Sequence, residues 1–98
     1  MTKNEKLIKN TFEGGNVRDA LLFLTACVRN AFPEFNFRGI EVTRLVTGKK
    51  LIQGKSWNHE FTVKYTENGA WEVTCHRTSH GESADKKATL DALTLEIK

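Results

Sequence analysis

The chain is short of the residues that metal and redox chemistry need. Its 98 residues include two cysteines, three histidines and one proline. No CxxC pair occurs, and Cys75 and His76 are neighbours in an alternating run that sends them to opposite faces of a strand. With His80 as the one other histidine nearby, no tetrahedral ligand set assembles there, and no metal site is expected. Cys27 and Cys75 fall in apolar patterns, where a free thiol behaves as a small buried hydrophobe, so both are expected to be reduced. The seven glycines are scattered at turns, and no phosphate-cradling motif is present. Glu60 and His76 meet only as a solvent-facing pair, with no oxyanion site beside them. A non-enzymatic protein without cofactor or metal is expected.

Long apolar runs are missing as well. Leu21 to Leu24 is a short patch inside a polar-flanked helix, far below the roughly 20 residues needed to cross a bilayer. Met1 to Asn10 has lysines but no apolar stretch after them, which is not the form of a secretory signal. No membrane contact and a cytoplasmic location are expected. No repeat, linker or low-complexity stretch interrupts the chain. A hydrophobic content of 39% suits one domain over residues 1–98, with residues 1–15 as a short accessory N-terminal helix.

What is present is an uneven charge. Met1 to Phe35 carries five basic and four acidic groups, Asn36 to Thr66 six and two, and Glu67 to Lys98 four and six. The middle segment alone is basic, which permits an anionic partner.

Local signals outline an α+β fold with the order helix, helix, strands, helix. Thr2 and Glu5 have the form of a capping box before Leu7, Ile8 and Phe12, and Gly14 and Gly15 end that helix. Asn16 caps a second helix, whose apolar positions from Val17 to Ala31 recur at helical spacing until Pro33 stops it. From Phe37 the period becomes two, giving a strand to about Thr47, and Gly48 breaks it. Leu51 and Ile52 read as a short returning strand before Gly54, with a mobile loop on two apolar anchors as the alternative.

The clearest alternation runs from His59 to Thr66 and again through Trp71, Val73 and Cys75. A three-residue turn, Glu67 to Gly69, with Gly69 left-handed, pairs Tyr65 with Trp71, Val63 with Val73 and Phe61 with Cys75. It also sets Lys64 opposite Glu72, Thr62 opposite Thr74 and Glu60 opposite His76. Ser83 then has the form of a cap for a final helix packed through Ala84, Ala88, Ala92 and Leu95. The expected architecture is a three- or four-stranded antiparallel sheet with helices on one face.

Lys49, Lys50 and Lys55 crowd a glycine-bounded stretch that leads into Trp57 and His59. Lysines neutralise phosphates, an indole supports a loop or stacks on a base, and an imidazole donates to a phosphate or sugar. An N-terminal helix, a basic loop before the second strand and a C-terminal helix entered through HGESADKKATLDAL (His80 to Leu93) resemble, at the level of topology, the double-stranded-RNA-binding domain. The resemblance implies recognition of duplex RNA by shape, with His59 as the loop histidine and Lys86 and Lys87 as the lysine cluster at the start of the last helix.

Two functions follow as expectations. One is a nucleic-acid-binding module for duplex RNA or DNA, with Lys49, Lys50, Lys55, Trp57, His59, Lys86 and Lys87 at the interface. The other is a protein-interaction module, such as an accessory or inhibitory factor of a virus or mobile element. It would dock on one partner protein through a sheet edge or a patch of Phe35, Phe37 and Trp57. The chain would act as a monomer or as a homodimer.

Overall fold

Two polar caps start two helices, as the sequence predicts. The computed structural model describes residues 2–77 and 85–98. Helix α1 spans Lys3–Phe12 and α2 spans Val17–Ala31. The Glu5 N–H donates to Thr2 Oγ1 at 3.1 Å and the Thr2 N–H to Glu5 Oε1 at 3.4 Å, satisfying amides that the first turn leaves open. Asn16 Oδ1 accepts from the Asp19 N–H at 3.0 Å to start α2. Between them Gly15 has φ +61°, the left-handed conformation that turns α1 back along α2.

Five strands follow: β1 (Glu41–Val46), β2 (Leu51–Ser56), β3 (His59–Tyr65), β4 (Ala70–Arg77) and β5 (Asp85–Asp91). They form one sheet in the order β1-β2-β3-β4-β5, and every neighbouring pair is antiparallel. The β3–β4 register is the expected one, with Phe61 opposite Cys75, Val63 opposite Val73 and Tyr65 opposite Trp71, and Gly69 has φ +72°. Leu51 and Ile52 belong to a full strand.

Two expectations are corrected. The sheet has five strands rather than three or four, and the segment assigned to a final helix is β5, so both helices precede the sheet. Ser83 and Ala84, the expected start of that helix, lie outside the described residues, as does His80. Asp, Lys and Ala are poor strand formers, but pairing with β4 overrides them. Lys86, Ala88 and Leu90 stand opposite Cys75, Val73 and Trp71, which sends Leu90 into the core. After β5 the Asp91 carboxylate accepts the N–H groups of Leu93 and Thr94, each at 3.0 Å. The chain then turns through Leu95 (φ +60°), and Ile97 bridges back to Leu90.

The packing also differs from two helices laid side by side on the sheet. Helix α2 lies across it, burying Ala20, Phe23, Leu24, Cys27 and Val28 against Ile52, Phe61, Val63, Val73 and Leu90. Helix α1 leans mainly on α2 and reaches the sheet through Phe12, whose ring stacks on Trp71 at 5.3 Å. Each such large side chain contributes roughly 1.5–3 kcal/mol on burial. Helix and sheet come close at Gly54, where a Cβ would stand 2.3 Å from Leu24 Cδ2 and 2.5 Å from the Glu41 carbonyl oxygen. The other sheet face carries Glu60, Thr62, Lys64, Glu72, Thr74 and His76, the solvent-facing set that the register requires. Both cysteines are buried and unpaired.

Candidate functional site

The basic stretch is a strand with a turn at each end, not a loop. A single 3-10 turn, Thr47–Lys49, is followed by Lys50 in the left-handed conformation, and Leu51–Ser56 is β2. Lys49 and Lys50 therefore stand at one end of β2 and Trp57 at the other, about 20 Å away at strand rise. Lys50 Nζ lies 4.6 Å from the centre of the Tyr65 ring. Lys55 is on the open face, in register between Glu41 and Glu60.

Lys86 and Lys87 are likewise separated, because consecutive strand residues point to opposite faces. On the helix side, Lys86 Nζ is 3.7 Å from Glu34 Oε1 and 4.1 Å from the centre of the Phe35 ring. On the open face, Lys87 Nζ is 3.3 Å from Glu72 Oε2. The seven predicted contact residues thus fall into three places. Lys49 and Lys50 form one end, Lys55 and Lys87 lie on the open face, and Trp57, His59 and Lys86 share the other end.

That second end is built in detail. Ser56 pairs with His59, leaving Trp57 and Asn58 as the turn between β2 and β3. Trp57 does not support a loop: it is 90% exposed at the tip, with φ +53°. A bulky L-residue in that region stores roughly 1–3 kcal/mol of strain, which glycine would avoid. Beside the turn runs the segment after α2. The buried Ser56 hydroxyl donates to the Arg38 carbonyl at 2.5 Å and fastens this segment to the end of β2. Phe37 meets Phe61 edge-on at 4.9 Å and His59 at 5.1 Å, and Phe35 stacks on Phe37 at 5.5 Å. Phe35, Phe37, Arg38, Trp57, Asn58 and His59 line a shallow groove of about 290 Å³.

Sequence reasoning missed Arg38 and Ser56 in this groove. The signal for Ser56 was available, since Ile52, Gly54 and Ser56 continue the inward-facing period of β2.

The two described histidines sit in opposite electrostatic settings. Burial against Phe37 pushes His59 below the ordinary histidine range, and the Arg77 guanidinium adds to that. His76 is exposed on the open face and is held above the ordinary range by its hydrogen bond to Asp85, with Glu60 adding a smaller push. Burial raises both thiols, which suits them to packing rather than to nucleophilic work.

Among the described residues no group of three metal-ligating side chains comes together, and no helix is long and apolar enough to cross a membrane. A groove of about 600 Å³ between α1 and α2 contains none of the predicted contact residues. It lacks an exposed aromatic anchor and a strained backbone position, so the smaller Trp57 groove is the better candidate.

Among the described residues, fold and site together define an α+β domain of two helices and a five-stranded antiparallel meander, with an aromatic end at the β2–β3 turn. Compared with protein-family models, curated proteins and solved structures, the chain matches none of them.

Proposed function

We propose that the protein is a non-enzymatic binding module that docks on one protein partner through its Trp57 end. The observation that carries this is Trp57 itself, 90% exposed at positive φ beside a groove floored by Phe35 and Phe37. A fold gains nothing from an indole in water on a strained turn, whereas an interface does. Tryptophan and arginine dominate interface energetics, and here Arg38 stands at the groove wall.

The charges favour protein over phosphate. Lys86 and Lys87 have carboxylate neighbours in Glu34 and Glu72, and Lys55 lies between two glutamates in register. Lys49 and Lys50 are at the far end of β2. A nucleic-acid track needs cations along one groove next to stacking rings, and these lysines are dispersed over two ends and two faces.

The test is capture of a partner by the immobilised chain from nuclease-treated extract, washed at about 0.5 M salt so that long-range charge effects are screened. A protein should be retained by the wild type and by Lys49→Ala/Lys50→Ala, and lost with Phe35→Ala/Trp57→Ala. Nucleic acid that co-purifies with the chain, leaves on high-salt washing and is lost with Lys49→Ala/Lys50→Ala/Lys55→Ala would replace this function with the nucleic-acid one.

A further inference from the structure

The helical side of the molecule carries a second surface that the Trp57 end does not explain. Helix α1 folds back along α2, tied at one end by Asn10 Nδ2 donating to Asp19 Oδ2 at 2.8 Å. Between the helices runs the groove of about 600 Å³, lined by Lys3, Lys6, Leu7, Asp19, Leu22 and Ala26 among others. Its floor is apolar, made by Leu7, Ala26 and Leu22, the last 52% exposed.

The rim is basic. Lys3 and Lys6 stand on the α1 wall. Arg18 lies four residues before Leu22, a spacing that puts it on the same face of α2. The acid in the groove, Asp19, is held by Asn10. A helix pair with an open apolar seam is the usual seat for a third amphipathic helix, read through positions i, i+3, i+4 and i+7. The three basic side chains then select what flanks that helix's apolar stripe. They also disfavour a second copy of this chain, which would bring the same cations to the seam.

We infer that the α1–α2 groove docks an acidic amphipathic helix of a partner protein, with Leu22 as the central apolar contact and Lys3, Lys6 and Arg18 selecting carboxylates on the helix flanks. The groove and the Trp57 end share no lining residue, so each stands or falls without the other.

The experiment uses the full chain and labelled synthetic peptides of about 18 residues, roughly 27 Å as a helix. One carries a leucine stripe flanked by glutamates, and a second has the same stripe flanked by lysines. Fluorescence anisotropy should show saturable binding of the glutamate peptide, about tenfold or more weaker binding of the lysine peptide, and weakening with salt. Leu22→Glu and, separately, Lys3→Glu/Lys6→Glu should each weaken the glutamate peptide about tenfold while the thermal melting of the chain stays within a few degrees of wild type. No binding of the glutamate peptide, equal binding of both peptides, or indifference to Leu22→Glu would overturn the inference. So would a dimer of the free chain in sedimentation that Leu22→Glu dissociates, because it would assign the groove to a second copy.

Discussion

The two turns that flank β3 are built on opposite principles. At one end Glu67 to Gly69 connects β3 to β4, and Gly69 takes the left-handed position at φ +72°. At the other, Trp57 and Asn58 connect β2 to β3, and tryptophan takes φ +53°. Behind the first turn lies a buried aromatic cluster, where Tyr65 and Phe12 meet Trp71 at 4.9 and 5.3 Å. Behind the second lies Phe37, which meets His59 edge-on and stacks on the exposed Phe35. The first end is optimised for folding. The second keeps strain and an exposed indole on a hairpin that glycine would serve better, and such departures from local consistency concentrate at contact sites.

Several substitutions would sharpen or break this contrast. The largest effect is expected at the first end: Trp71→Ala removes the buried indole and its 3.2 Å hydrogen bond to the Ala92 carbonyl, and should cost about 4 kcal/mol in denaturant unfolding. Phe37→Ala, the corresponding ring at the second end, is half-buried and should cost less, about 1–2 kcal/mol. Equal losses would remove the distinction between the ends. Gly54→Ala should cost about 3 kcal/mol, since its Cβ would overlap both Leu24 and the β1 backbone and neither can retreat far. The turns themselves should respond with opposite signs. Gly69→Ala should lower stability by about 1 kcal/mol, and Trp57→Gly should raise it by a similar amount.

The smallest effects are those of pH. Asp85 stabilises protonated His76, so this contribution is complete below the unfolded pKa and fades as pH rises through the higher folded one. His59 is lowered by burial, so acidification through the ordinary histidine range works against the fold there. Imidazole titration by NMR should therefore place the His76 midpoint above that of His59, and Asp85→Asn should narrow the gap by lowering His76. Midpoints in the reverse order would contradict the described surroundings of both rings.

The helices and the β3–β4 hairpin were legible in the sequence because each carried two agreeing signals. Thr2 and Asn16 supplied caps where the helical period began, and Gly69 supplied a left-handed turn in the register that matched apolar faces. Strand β5 was hidden because Ala88, Ala92 and Leu95 mimic a helical face, while its partner strand, not its own propensity, decides its state. The candidate site was half legible. Trp57, Phe35 and Phe37 were recognisable as anchors, but Lys49, Lys50 and Lys55 read as one cluster only while Leu51–Ser56 could be taken for a loop. Once that segment is a strand, its two ends part by about 20 Å, and Lys86 and Lys87 part across the sheet.

The most direct measurement compares Trp57→Gly with the wild type in thermal unfolding and in nuclease-treated, high-salt partner capture, side by side. A Trp57 turn kept for contact predicts equal or higher melting temperature together with loss of the captured protein. Capture at the wild-type level in a folded Trp57→Gly chain would contradict it.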